Sequence, residues 1–580
     1  MRRTILLILL CAIAAIISPA QTFTKLYDFQ GLTDSGYPYA SLMQGTDGAY
    51  YGEARGIFQD NDPGAIFKIT SSEVFTTVHH FDPNNPYEPA GAIGGLVRAN
   101  NGDLYGAGGG GFYGSGTIFK VTPQDTVVTV YSFCALGANC PDGTLPWAPP
   151  VQGADRNFYG TTGTGGTTDC RNGCGTVFKI TPEGALTTLY SFHGPDGANP
   201  HSRLLLANDG NFYGTTFHGG STQGRCNNNY APGCGTVFRI TPNGVFTTLH
   251  VFCLQNGCPD GSNPAHGLIQ GEDGYLYGVT SSVISPGTVF KMSLDGTLTT
   301  IYTFAQGEST DGELLQAPDG DFYGTLFTTG VGDRAFKLTS GGVFTTLYEF
   351  CTQNLCKDGA GPEGALTLGN DGLLYATSYQ FGENGYGTVF SLDVGFVPLS
   401  LTKTGSGTVI SGDNHIYCGN TCANVYTPDT QVGLTAIPAP GSTFTAWAGC
   451  DNAQGSFCLL TMSSARNVSA SFSSSPVTLT SLVLNPTSVK GGQISVATVS
   501  ISAPAPPGGV GVSITSDNPQ VAHPPSAVVI PGGKTSVIFT VRTTPVRNKA
   551  VVNLTATSGA SQAGATLTVT IGSSQAATMR

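Results

Sequence analysis

Apolar residues in this chain come in short runs of strand character. Between residues 22 and 395, segments such as "NFYGTT", "GTVFKIT" and "LTTLYSF" mix Val, Phe, Tyr and Leu with Thr, Lys and Ser, and clusters of Gly, Asp, Asn and Pro bound them. Such runs, only ~4–8 residues long between turn signals, predict β-strands. Four of them make a unit: a first such as "HSRLLLA", a second "NFYGTT", a third "GTVFKIT" and a fourth "LTTLYSF". The first and second are joined by a tight "NDG" or "PDG", and the third and fourth by "PEG" or "PNG", both hairpin signals. The second-to-third and fourth-to-next-first connections are long, Gly-rich and variable.

The unit repeats. Aligned on the Tyr of "YG", it recurs at Tyr51, Tyr105, Tyr159, Tyr213, Tyr277, Tyr323 and, with Ala following, Tyr375. A lone four-stranded antiparallel unit buries too little surface to stand alone. Arranged radially, such units bury both faces of every sheet against their neighbours. The pattern predicts an all-β fold with a seven-bladed β-propeller over 21–397. A linear β-solenoid fits less well, since its repeats are shorter and its ends need caps. The last third run, "GTVFSLD" at 387–393, has no fourth run behind it, whereas "TFTKLYDF" at 22–29 is a fourth run with no unit ahead of it. The N-terminal strand is therefore expected to complete the seventh blade, 25–29 pairing with 388–392, and to close the ring without an open edge.

The recurring phrase "YGTT…GG…GTVFKITP.G..TTLYSF…DG..P" resembles the GloVer tandem-repeat family over about residues 22–395. That resemblance implies β-propeller-like repeats in bacterial exported proteins with variable C-terminal anchors, and it brings no activity with it. The C-terminal "VTIGSSQAATMR" departs from the anchored pattern in having no hydrophobic tail or sorting signal. Residues 398–473, with "LTKTGSGTVISG" and "FTAWAGCDNAQGSFCLLTM", resemble the divergent internalin-type B-repeat, a small β-domain in whose core Trp447 is expected. Residues 477–572 alternate like strands, lack cysteine and look like a bacterial Ig-like sandwich, followed by a tail at 573–580. The expected fold is thus a propeller plus two small C-terminal β-domains.

Composition adds compartment and partners. Arg2 and Arg3, the apolar run 5–17 and Ser18-Pro19-Ala20 make residues 1–20 a signal peptide. Cys11 follows Leu10, where a lipoprotein signal would have a small residue. No later stretch approaches the ~18 apolar residues of a membrane span. The mature chain is expected to be secreted, with periplasmic or cell-surface locations as variants. A net charge of −12, which becomes −14 without Arg2 and Arg3, argues against a nucleic-acid partner. Fourteen further cysteines form local pairs: Cys134 with Cys140, Cys170 with Cys174, Cys226 with Cys234, Cys253 with Cys258, Cys351 with Cys356, Cys418 with Cys422 and Cys450 with Cys458. In an exported chain these read as disulfides. Zinc would need two such pairs converging on one ion.

Candidate chemistry is sparse. No HExxH, GxSxG or P-loop motif is present, and "GGGFYG" at 109–114 joins two strands without a helix, so it reads as a Gly-rich loop rather than a dinucleotide site. All five propeller cysteine pairs fall in the long connections, which emerge on one face, and a binding surface is expected there. Asp34, Asp142, Asp196, Asp260, Asp311 and Asp358 recur ahead of the first strands, mostly as "DGxxP". A ring of carboxylates could hold Ca²⁺, with Asp142, Asp196 and Asp260 as the metal candidates. Asp-Gly is also the ordinary turn pair, and recurrence in nearly every blade favours that reading; no other cofactor is expected.

Residues that differ between blades are better ligand candidates: Tyr37, Glu88, Trp147, His201, Arg203, His266, Glu313 and Glu363, near the starts of first strands. If these strands line the axis, aromatics, His, Arg and carboxylates crowd a mouth suited to a sugar or other polar ligand. Glu313 and Glu363, in adjacent blades, are candidate paired carboxylates of a hydrolase. His201 and His266 are candidate metal ligands. Solvated rim groups are the competing reading for both pairs. The leading function is an exported binding or adhesive protein recognising glycan or protein through its loop face. The alternatives are a secreted carbohydrate-active hydrolase or lactonase at the channel mouth, and a structural surface protein without ligand. Low charge, blade-level repetition and missing catalytic motifs favour binding over catalysis.

Overall fold

The computed structural model describes residues 21–571 except 32, 57–61, 86, 138, 222–225, 227–230, 282–284, 311, 329–331, 420–421, 440–441, 475–476 and 506–508. The expected signal peptide at 1–20, the expected tail at 573–580 and Asp311 lie outside the described residues. The chain divides into two compact units, Met1–Phe396 and Val397–Arg580. Among the described residues there is no α-helix, only strands and one 3₁₀ turn at Asn354–Cys356.

The first unit contains seven antiparallel sheets built on one plan. In the third, Val151–Gln152, Phe158–Thr162, Thr176–Ile180 and Leu186–Ser191 lie side by side in chain order. The third runs look continuously apolar because both faces of each sheet are covered. Successive residues point to opposite faces. Val177 packs with the fourth sheet, in a core holding Leu204, Phe212 and Phe238. Phe178 and Ile180 pack with the second, against Tyr105, Ile118 and Phe133. The "YG" tyrosine reaches across to the next sheet: Tyr105 stacks on Phe158 at 3.8 Å and Tyr159 on Phe212 at 4.1 Å.

The seventh sheet is assembled from both ends of the unit. Its order is Thr22–Asp28, Thr388–Asp393, Leu373–Ser378, Thr367–Leu368. Thr22 lies opposite Asp393, Lys25 opposite Phe390 and Asp28 opposite Thr388, with a register shift that skips Leu26. The same shift skips Leu189 in the third sheet, where Tyr190 faces Val177 and Thr188 faces Phe178. The N-terminal strand therefore has the form of a fourth strand as well as its sequence. The seventh sheet also meets the first. Tyr375 stacks on Tyr50 at 3.9 Å, and the Thr367 hydroxyl donates to the Leu42 carbonyl at 2.6 Å. One buried core joins Tyr375 and Val389 to Phe29, Leu42, Tyr50 and Phe67. The architecture is all-β and β-propeller-like.

One expectation is modified. Except in the second sheet, whose first strand spans Pro89–Arg98, the first runs, read as full strands, shrink to two residues, as in Leu205–Leu206 and Ile269–Gln270. Their leading halves start at Pro200 and Pro264, which lack an N–H for a ladder. These halves are held instead by side chains of the preceding sheet.

In the second unit, residues 397–474 form two sheets around Leu399, Val409, Leu434, Leu460 and Phe472. Two disulfides staple them, Cys418 to Cys422 and Cys450 to Cys458. Cys418 and Cys458 are themselves buried members of that core. Trp447 is partly buried against it, 5.3 Å from Phe444. Residues 479–570 form two further sheets enclosing Leu482, Val499, Ile514, Val541 and Leu567.

Phe29 and Phe192 are both fully buried, one near the chain start and one mid-repeat. Phe29→Ala is expected to destabilise the first unit by about 3–5 kcal/mol, as much as Phe192→Ala. Urea unfolding of the two variants checks this, and a cost near zero for Phe29→Ala would contradict it.

Candidate functional site

The long connections meet at one end of the sheets and are tied together there. The five cysteine pairs of the first unit are all disulfides: Cys134 with Cys140, Cys170 with Cys174, Cys226 with Cys234, Cys253 with Cys258 and Cys351 with Cys356. With their sulfurs bonded to one another, the zinc reading of these pairs falls away. Cys226, Cys234, Cys253 and Cys258 are also buried, in one core between the fourth and fifth sheets. In the third sheet the Gly166 N–H donates to the Cys140 carbonyl at 3.0 Å, joining the loop of the Cys170–Cys174 bridge to that of Cys134–Cys140. The opposite end has only hairpins.

The recurring aspartates have a structural task at this end. Asp142 accepts hydrogen bonds from the Tyr131 hydroxyl at 2.9 Å and the Ala135 N–H at 3.0 Å. Asp196 accepts from the Tyr190 hydroxyl and the His193 N–H, and Asp260 from His250 Nε2 at 2.9 Å and the Cys253 N–H. Asp34 and Asp358 repeat this with Tyr27 and Tyr348, both at 2.8 Å. Each carboxylate thus fastens the end of a fourth strand rather than only its own turn. Burial first, then the carboxylate, pushes the Tyr131 and Tyr190 phenols well above their ordinary range, so they stay protonated donors. The following Gly is a matter of space: a Cβ at Gly143 would fall 2.0 Å from Thr162 Oγ1. Glu88 takes the same place, bonded to His79 Nε2 at 3.2 Å and the Asp82 N–H at 2.8 Å, which removes it from the ligand candidates. Among the described residues no three His, Cys, Asp or Glu side chains are placed to hold a metal ion. The Ca²⁺ reading of Asp142, Asp196 and Asp260 and the metal reading of His201 and His266 thus have no ligand set there.

The inner segments hang on the sheet before them. The hydroxyls of Thr161, Thr215 and Thr325 donate to the carbonyls of Ser202, His266 and Gly364, each at 3.2 Å, and Thr377 to that of Ala40 at 3.4 Å. On this frame the third to sixth sheets bring five of the sequence candidates together. The Trp147 ring lies 5.6 Å from that of His201, which stacks on Phe217 at 5.1 Å and 15°. Burial pushes the His201 imidazole down to about 4, with His218 and His266 adding to the effect. Burial alone brings His218 to about 4 and lowers His266 against the opposing pull of Glu313. All three are neutral at pH 7.

Arg203 and Glu313 form an ion pair from the fourth sheet to the sixth. Arg203 Nε and Nη2 both reach Glu313 Oε2, at 2.7 and 2.6 Å. The fifth sheet gives way at Gly267, where a Cβ would sit 2.1 Å from Glu313 Oε1. Glu313 is therefore engaged by a guanidinium, and the expected carboxylate pairing with Glu363 is not what holds it. Arg203 keeps 40% of its side-chain surface, so the pair is open to solvent on one side.

Other candidates lie elsewhere. Tyr37 belongs to the seam of the seventh and first sheets, its N–H on the Tyr386 carbonyl at 2.7 Å and its ring 5.3 Å from Tyr379. Tyr39, passed over in the sequence, follows Pro38 as Trp147 follows Pro146, His201 Pro200 and Glu363 Pro362. Its ring faces Tyr379 at 5.6 Å and the Arg55 guanidinium at 5.8 Å. Alignment on those prolines would have found it. Glu53 was also missed, although it stands where other repeats have Thr161, Thr215, Thr325 and Thr377. It is fully buried; Oε2 accepts the Gly95 N–H at 2.9 Å, and Oε1 has no hydrogen-bond partner among the described residues. Burial raises its carboxyl to about 8.

These features define a repeat-built, β-propeller-like protein whose individuality sits on its loop face. The chain belongs to the Gloeobacter/Verrucomicrobia repeat family, matched over residues 13–168, 94–325 and 223–408, and residues 397–476 match the divergent InlB B-repeat domain. No curated protein sequence matches the chain. Among solved structures, a provisionally assigned gluconolactonase is similar at 13% identity and a TM-score of 0.34, covering 65% of this chain and 92% of its own. A quinoprotein alcohol dehydrogenase-like protein from Bacteroides thetaiotaomicron is 12% identical at a TM-score of 0.35, with 55% and 67% coverage. An exo-β-1,3-galactanase from Phanerochaete chrysosporium is 10% identical at 0.29, with 82% and 94% coverage. Likenesses at this level transfer neither a site nor an activity.

Two outcomes are expected. Because the Glu53 carboxyl is raised in the folded chain, its own contribution to stability is greatest below the ordinary value of 4.5 and is lost as pH rises toward about 8. Glu53→Thr should remove that slope, as read by thermal melts across pH 4–9, and an unchanged slope would refute it. Gly267→Ala should cost about 1–3 kcal/mol through overpacking, and Glu313→Ala in the same chain should recover most of the loss in urea unfolding.

Proposed function

We propose that this is an exported extracellular binding protein. In this reading the seven sheets form a closed seven-bladed ring over 21–397, the N-terminal strand completing the last blade. Its loop face recognises a glycan or protein ligand. The modules at 398–473 and 477–572, the second read as Ig-like, serve as spacers. The carrying observation is the group on the third to sixth sheets: Trp147, His201 and Phe217 offer ring faces beside the solvent-open Arg203–Glu313 pair. Ring faces next to a paired donor and acceptor suit a ligand with both apolar and hydroxyl-bearing surfaces. The engagement of Glu313 by Arg203 leaves it poorly suited to act with Glu363 as a hydrolytic pair, which favours binding over catalysis. The disulfides brace the surrounding loops and fit an oxidising compartment; no described helix is long and apolar enough to cross a membrane.

A glycan-array and glycosidase screen of the mature chain tests the reading. Binding without turnover is expected, with Trp147→Ala and His201→Ala each weakening it by about tenfold, or 1.4 kcal/mol. With His201 and His218 both held at about 4, that binding should change little between about pH 6 and 8. Turnover abolished by Glu313→Gln would instead establish the hydrolase.

A further inference from the structure

The loop face carries a second aromatic group, which the sheets do not use. Tyr87 stands in the connection from the first sheet to the second. Phe112 and Tyr113 stand in the second sheet's own long loop, between Leu104–Gly110 and Thr117–Val121. Their exposures are 58, 51 and 49%, whereas the "YG" tyrosines and the phenylalanines that close the fourth runs, such as Phe133 and Phe192, are buried. The rings are packed on one another. Tyr87 and Phe112 lie 5.2 Å apart and 18° from parallel, and Tyr113 meets Phe112 edge-on at 4.9 Å and 90°.

The backbone fixes this group. The Gly111 N–H donates to the Glu88 carbonyl at 3.1 Å, tying one loop to the other, and the Thr129 hydroxyl donates to the Tyr87 carbonyl at 2.5 Å. Among the described residues, a Cβ added at Gly91 or Gly114 beside it would meet nothing within 4 Å. The adjoining carboxylate, Glu88, is committed to His79, the Asp82 N–H and Asn85 Nδ2.

We infer that Tyr87, Phe112 and Tyr113 form a stacking platform for a neutral polysaccharide chain. Aromatic faces carry negative quadrupole potential, which attracts the C–H face of a pyranose, and the two phenols add hydrogen bonds to its hydroxyls. Three ring faces this exposed suit a polymer lying across them rather than an enclosed small molecule. A chain of net charge −12 repels an anionic polymer, which leaves a neutral one. This platform shares with the proposed function only the reading of the loop face as a recognition surface, and it is separate from the group around His201.

The test is adsorption of the mature chain to particles of β-1,4-glucan, chitin, β-1,3-glucan and starch. Retention on at least one is expected, unchanged by added salt. Tyr87→Ala with Phe112→Ala should weaken it by about tenfold or more at unaltered Tm, because both rings are exposed. Phe112→Trp, which keeps a ring face, should retain adsorption. Retention on none of the four polymers, equal retention of wild type and double variant, or loss in salt would overturn the platform. Loss through Trp147→Ala alone would also overturn it and assign the polymer to the inner group, while an inner group that binds nothing would leave the platform standing.

Discussion

No sheet of the first unit owns a complete core, and the rest of the structure depends on that constraint. The Phe178 side of the third sheet is packed by the second and the Val177 side by the fourth. The stack of Tyr105 on Phe158 is repeated by Tyr159 on Phe212 and by Tyr375 on Tyr50, so the contact joining the last sheet to the first is of the same kind as those in the middle. Stability is then shared between neighbours rather than stored within repeats. This explains why the repeated positions vary so little: a change in one tyrosine is felt by the sheet ahead of it.

That sharing frees the opposite end of each unit. The fourth-strand ends are fastened by Asp142, Asp196, Asp260 and their counterparts, and the long loops are braced by buried bridges such as Cys226–Cys234 and Cys253–Cys258. They can differ in length and chemistry from sheet to sheet. The side chains that break the repeat gather there, as ring faces, neutral imidazoles and ion pairs such as Arg203–Glu313, on a chain with few charges overall.

Much of the fold was legible because period and punctuation agreed. Strand runs, tight "DG" and "PEG" hairpins, local cysteine pairs and the orphan "TFTKLYDF" all appear in the structure where the sequence places them. The first strands were not legible, since an apolar run such as "HSRLLLA" does not reveal that hydroxyls of the preceding sheet hold its leading half. The site was legible only in part. His201, Arg203, His266 and Glu313 stood out as deviations from the repeat. Which of them would meet depended on Gly267, whose missing side chain makes room on the sheet between, and no sequence pattern signals that. Glu88 misled because its bond to His79 copies the Asp–Tyr bond of other repeats with both residue types changed. Glu53 and Tyr39 were visible as breaks in the Thr and Pro columns, and a column-by-column comparison recovers both.

The strand at 22–28 has a consequence for how the chain is made. It precedes every other described strand along the chain, yet its ladder partner is 388–393, the last strand of the unit. Every intervening sheet must be produced before that pairing can occur. Throughout that interval the unit has two unsatisfied edges, one at each end, either of which could pair with another molecule. The pairing of 22–28 with 388–393 therefore comes late in the assembly of the unit.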